Sequence, residues 1–110
     1  MELNEYQKKA LQTAFHDKKY KIIYPALGLG NEAGEVLGKI KKWLRGDDGD
    51  GDISKERVEA LKEELGDVLW YLSVLANDLG LSLDDIAKTN IDKLQSRQKR
   101  GALKGDGDKR

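Results

Sequence analysis

Two pairs of acids carry the chemistry open to this sequence: Glu32 with Glu35, and Glu64 with Asp67. Each has i, i+3 spacing, which on a helix sets two carboxylates side by side on one face. Like charges so placed destabilise a bare helix. Four of them gathered together are tolerable only where cations or open water take up the charge. A hard divalent ion suits such a set, because Mg²⁺ takes carboxylate oxygens, keeps several waters and binds beside substrate phosphates.

Composition narrows the field. The chain has no cysteine, which excludes disulfides, thiolate metal sites and a cysteine nucleophile. Its single histidine argues against a nitrogen-rich zinc site. A di-iron carboxylate bundle needs Glu-x-x-His pairs, and no histidine follows Glu32 or Glu64 at that spacing. Twenty acidic and twenty basic residues cancel, so bulk charge supplies no nucleic-acid surface. No apolar run approaches membrane-spanning length, and MELNEYQKKA lacks an apolar signal core. These features predict a protein of the cytoplasm, or of the host cytoplasm if phage-encoded, with no membrane or nucleic-acid partner.

The elements that must position the acids are legible from periodicity, and all of them are helices. A first helix is expected from Asn4, as N-cap, through Tyr6, Ala10, Leu11 and Ala14 towards His16, which would lie at its C-terminus. Lys18–Ile23 is a connector, and Pro25 suits the first turn of a second helix. That helix carries Leu29, Ala33, Val36, Leu37, Ile40, Trp43 and Leu44 at a 3.6-residue period, and Gly46 is placed to stop it. A polar, glycine-rich loop covers Asp47–Ile53. It mimics a calcium loop, but its ligand register puts Gly46 and Arg57 where acids are required. The GLG at Gly28–Gly30 makes no dinucleotide fingerprint, since no strand precedes it.

The strongest periodicity runs from Ser54 to Gly80, with Val58, Leu61, Leu65, Val68, Leu72, Leu75 and Leu79 in steps of three and four. Ser82 and Asp85 resemble a capping box that opens a fourth helix, bearing Leu83, Ile86, Ala87, Ile91 and Leu94. Residues 1–101 thus form one all-α domain, a bundle of about four helices. Residues 102–110, ALKGDGDKR, are a polar tail with too little apolar content to pack alone. At 110 residues the core is modest, so assembly into a homodimer or homotetramer is expected to complete it.

Glu32 and Glu35 lie beside the apolar row of helix two, and Glu64 and Asp67 beside that of helix three. Glu56, Glu59 and Glu63 fit a solvated face. The short linking loop favours an antiparallel hairpin that brings the two pairs together. Gly34, Gly38 and Gly66 sit inside these helices at a cost of about 1 kcal/mol each relative to alanine, for which close approach of a helix or of a ligand is the usual reason. The residues alone leave two readings open: solvated acids paired with Lys39, Lys41, Lys42 or Lys62, or ligands of a cation.

At these positions the chain resembles the MazG-like all-α nucleoside triphosphate pyrophosphohydrolases. The matching segments are GLGNEAGEVLGKIKK (Gly28 to Lys42) and EELGDVLWYL (Glu63 to Leu72), followed by NIDKLQSRQKRG (Asn90 to Gly101). The resemblance runs from about Tyr24 to Gly101. It implies hydrolysis of a (deoxy)nucleoside triphosphate at the α–β linkage, giving monophosphate and pyrophosphate, in nucleotide-pool control or phage nucleotide metabolism. It implies Mg²⁺, with Mn²⁺ as a substitute, on Glu32, Glu35, Glu64 and Asp67. Glu35 and Glu64 become the catalytic carboxylates, Glu35 orienting the attacking water. Lys39, Tyr71, Asn90, Lys93 and Arg97 become substrate contacts, the cations for phosphate and Tyr71 for base or sugar. Tyr6, Gln7, Tyr24, Trp43 and Asn77 are further candidates for a nucleoside pocket. One departure matters: many members carry an acid immediately before the first motif acid, and this chain has Asn31, an amide that orients water but cannot act as a base. The alternatives are an enzyme acting on phosphoribosyl-ATP, which shares the acid pattern, and a non-enzymatic helical interaction module.

Overall fold

The helices form where the periodicity places them. In the computed structural model, which describes residues 1–110, α1 spans Leu3–Leu11, α2 Ile23–Leu44, α3 Lys55–Asp78 and α4 Leu83–Lys99, with one 3₁₀ turn at Lys18–Tyr20 and no strand. The boundaries have local causes. Gly46 (φ 96°) follows the last turn of α2, and Gly80 (φ 75°) follows α3; both take a left-handed conformation that a side chain disfavours. Ser54 Oγ accepts from the Arg57 N–H at 3.1 Å to open α3, and Ser82 Oγ accepts from the Asp85 N–H at 3.1 Å to open α4.

Helix α1 departs from expectation at both ends. Asn4 does not cap it; the helix begins at Leu3, and Asn4 Oδ1 instead accepts from the Asp84 N–H at 3.0 Å, capping α4 across the fold. The helix closes at Leu11, so His16 lies in the connector and is no C-terminal helix residue. Its Nε2 stands 2.9 Å from Asp78 Oδ2 at the end of α3, and its ring stacks on Tyr24 at 5.5 Å. The same Asp78 oxygen accepts from the Ile22 N–H at 2.9 Å. Ile22 itself centres a γ-turn with φ 71° and ψ −53°, closed by Ile23 N–H to Lys21 C=O at 2.8 Å. That conformation is strained for a β-branched residue, and Asp78 holds it in place at the entry to α2.

α2 and α3 form the antiparallel hairpin. Its loop is tied by Asp48, whose carboxylate accepts from Arg57 Nη2 at 2.7 Å and from the Ser54 hydroxyl at 3.2 Å. Trp43 Nε1 donates to the Gly51 carbonyl at 3.2 Å. At the opposite end Gln7 joins three segments: its amide donates to the carbonyls of Ser73 (3.2 Å) and Leu81 (3.1 Å), and its Oε1 accepts from the Leu83 N–H (3.0 Å). Gln7 and Trp43 are therefore joints of the fold, which accounts for both without a nucleoside.

The interior is small. Eight residues are buried, among them Ala10, Val74, Ala76 and Leu83, and the Cα radius of gyration is 17.1 Å, against about 13 Å for a compact chain of this length. α2 is apolar on two faces: Leu29, Val36 and Trp43 face the α3 side, while Ala26, Leu27, Gly30, Gly34 and Leu37 lie on another. Leu37 and Leu44 are 70 % and 83 % exposed. A methyl group built on Gly30, Gly34, Gly38 or Gly66 would meet nothing within 4 Å, so no element of this chain explains those glycines by close approach.

Candidate active site

The hairpin brings three of the four motif acids together. One carboxylate oxygen each from Glu32, Glu64 and Asp67 lies within 4.8 Å of the others. Glu35 stands outside this group and is exposed. Helix geometry gives the reason: three residues at 3.6 per turn leave Glu35 rotated by roughly 60° from Glu32. On α3 the same rotation still keeps Glu64 and Asp67 within reach of one oxygen set.

The cluster is electrostatically uncomfortable by itself. Glu32 has its proton affinity raised, first by partial desolvation and then by the charges of Asp67 and Glu64; when protonated it hydrogen-bonds Glu64. One cation answers the three acids within the chain, Lys39, whose Nζ lies 3.7 Å from Glu64 Oε1. Excess negative charge, oxygen donors alone and no sulfur or imidazole in the set match the preferences of Mg²⁺ or Mn²⁺. The donors present therefore fit a hard divalent cation.

Aromatic side chains wall one side of the cluster. Tyr71 lies near enough to Glu32 and Asp67 to feel both charges, and burial followed by the neighbouring Tyr24 hydroxyl pushes its hydroxyl pKa up. Trp70 meets Tyr71 edge to face at 4.9 Å, and Tyr24 is 6.3 Å from Tyr71. Tyr6 of α1 also has its hydroxyl pKa raised, by burial and then by Asp67, which puts α1 at the edge of the site. A methyl group on Gly28 would fall 2.1 Å from Tyr71 Cε1. Gly28 thus lets the Tyr71 ring lie against the α2 backbone.

The α4 residues form a separate group. Asn90 and Lys93 line a shallow pocket with Leu81, Asp85, Ile86 and Thr89. Lys93 and Arg97 both reach Asp108 of the C-terminal segment. No hydrogen bond or ion pair joins Asn90, Lys93 or Arg97 to the three acids.

The MazG nucleotide pyrophosphohydrolase domain matches residues 25–102. The chain belongs to this family. MazG-domain membership supports a nucleotide pyrophosphohydrolase activity in general terms, and divalent-cation dependence is typical of the family. Among curated relatives, the chain is 42 % identical to the Gene 37 protein of Mycobacterium phage L5 over the whole of both chains. It is 35 % identical to the uncharacterized protein YvdC of Bacillus subtilis (strain 168), over 63 % of this chain and 68 % of that one. No solved structure matches. No helix is long and apolar enough to cross a membrane.

Two features of the aromatic wall and its surroundings escape sequence reasoning. The His16–Asp78 pair spans 62 residues, and no local spacing announces it. Gly28 was visible within the GLG triplet, but its role depends on the Tyr71 ring, which only packing places there.

Proposed function

We propose that this protein is a Mg²⁺-dependent hydrolase of (deoxy)nucleoside triphosphates, cutting the α–β phosphate linkage to release monophosphate and pyrophosphate. The meeting of the Glu32, Glu64 and Asp67 oxygens within 4.8 Å carries the reading. Those three would hold the cation, with Glu35 joining them as substrate arrives; Mn²⁺ is a substitute. When bound, the cation supplies charge neutralisation for the phosphates and activation of water. The chain's own residues orient and hold. Glu35, exposed on α2, orients the attacking water; Glu64 is the second catalytic carboxylate. Lys39 shifts from Glu64 to a phosphate oxygen, while Asn90, Lys93 and Arg97 take the remaining phosphate charge. Tyr71 offers its ring to the base or sugar. Phosphoryl transfer depends chiefly on such positioning and charge stabilisation.

A second copy of the chain completes the fold in this reading, as homodimer or homotetramer. The uncovered apolar face of α2, with its Gly30–Gly34–Gly38 ridge, supports it, because open glycine ridges admit a close helix. The exposed Ile91 and Leu94 of α4 support it as well. The phage relative supports a role in phage nucleotide metabolism within the host cytoplasm.

The test incubates purified protein and Mg²⁺ with each common ribo- and deoxynucleoside triphosphate and identifies products. Monophosphate plus pyrophosphate is expected. Diphosphate plus phosphate, or no turnover of any member, overturns the reading. Sedimentation of wild type against Gly34→Leu checks assembly, with a smaller species expected for the variant.

A further inference from the structure

The C-terminal residues fold back on α4 through a chemically specific contact. Asp108 Oδ1 lies 3.1 Å from Lys93 Nζ and 3.4 Å from Arg97 Nη2, and that Nη2 also donates to the Asp108 carbonyl at 2.7 Å. One carboxylate oxygen between two cations a helical turn apart is a charge-assisted arrangement. Lys93 and then Arg97 hold the Asp108 carboxyl below the usual carboxylate range.

The two sides of this contact are built differently. The Arg97 side chain is 5 % exposed and that of Asp108 is 80 % exposed. The cations belong to a helix, whereas the anion rides on an irregular segment with Gly101, Gly105 and Gly107 all at positive φ. That segment closes on itself through Arg110, whose guanidinium donates to the carbonyls of Ala102, Gly107 and Leu103. The closure presents Asp108 towards α4. The site is also incompletely met, because Arg97 Nε is buried without a partner. A guanidinium offers five donors in a fork, and a single carboxylate oxygen with one carbonyl leaves part of it unused.

We infer that Lys93 and Arg97 form an anion site for a phosphate group of the nucleotide, and that Asp108 occupies it as an internal competitor. The inference rests on the proposed reading of these two cations as phosphate contacts. A phosphate group brings several strong acceptor oxygens, so it can satisfy donors that the carboxylate leaves idle. Substrate or pyrophosphate must displace the Asp108 carboxylate, and apparent affinity is lowered by the fraction of molecules in which the site is filled from within. The C-terminal segment thus sets the nucleotide concentration at which the enzyme becomes active.

Asp108→Asn in the full chain removes the competing charge with little change of shape. The Michaelis constant for a hydrolysed triphosphate is expected to fall by about threefold or more with kcat unchanged. Inorganic pyrophosphate, titrated calorimetrically, is expected to bind the variant tighter by a similar factor. A Michaelis constant that stays level or rises overturns the proposal, a rise meaning that the segment helps to hold substrate. Lys93→Ala in both backgrounds separates the two layers of argument. If it leaves the Michaelis constant unaltered in both, these cations do not touch phosphate and the underlying reading fails. If it raises the constant while Asp108→Asn does not lower it, phosphate contact stands and competition fails. Thermal melts of each variant confirm that folded protein is compared.

Discussion

Two regions of the α2–α3 hairpin, its end beside α1 and its middle, treat polar groups in opposite ways. At one end, Gln7 has both amide functions matched to backbone groups of α3 and of the turn into α4. Midway along the two helices, Glu32, Glu64 and Asp67 crowd together with Lys39 as the one cation among them. A buried polar group fully met by partners contributes to a unique structure. Carboxylates gathered without partners repel one another, and a bound cation or open water takes up that charge. The contrast separates a structural joint from a working site within one helical pair.

Substitutions should break this contrast in predictable ways. Asp67→Asn and Glu32→Gln are expected to lower turnover on the order of 10²-fold or more, since each replaces one of three converging carboxylates by a neutral amide. Their thermal midpoints without divalent ion should match or exceed wild type, because like-charge repulsion is relieved. A marked loss of stability in both variants would show that the acids are structural. Gln7→Ala has the opposite profile. It strands the Leu83 N–H and two carbonyls, so unfolding free energy should drop by about 1–3 kcal/mol, while kcat per folded molecule holds. Gly28→Ala lies between them: a methyl group 2.1 Å from Tyr71 Cε1 should cost about 1–3 kcal/mol and raise the Michaelis constant as the ring shifts.

Smaller effects sharpen the same comparison. Mg²⁺ should raise the melting temperature of wild type and leave that of Asp67→Asn nearly still, a shift read by calorimetry with and without chelator. The loop at Asp48 predicts an acid dependence. Its hydrogen bond to Arg57 holds the Asp48 carboxyl below its ordinary value of 3.8. The stability it contributes is therefore present above pH 3.8 and lost as pH falls through the lower folded-state value. Asp48→Asn should flatten the melting temperature against pH in that acidic window. An unchanged slope would mean that the Arg57 pair does not persist in solution.

Much of the fold was legible because its causes are local. Ser54, Ser82, Gly46 and Gly80 mark helix ends through bonds and dihedrals that involve their near neighbours. Asn4 misled for the converse reason: its side chain has the right type for a cap, but its partner is Asp84, eighty residues away. His16 read as a helix-end residue and is instead clamped by Asp78 across the fold. Trp43 and Gln7, plausible as nucleoside contacts by residue type, are spent on the loop and on the turn into α4. The acids followed the pattern in part, since i, i+3 spacing puts both members of a pair on neighbouring lines of a helix without saying which line meets the other helix.

The order of residues determined the helices, the hairpin and the presence of two acidic pairs, because periodicity and capping are short-range properties of the chain. Tertiary structure alone decided that Glu32 rather than Glu35 meets Glu64 and Asp67. It also decided that Tyr71 lies on Gly28 and that Asp108 sits between Lys93 and Arg97. Each of these depends on the rotation of one element against another, a quantity set by packing across tens of residues and written in no local spacing.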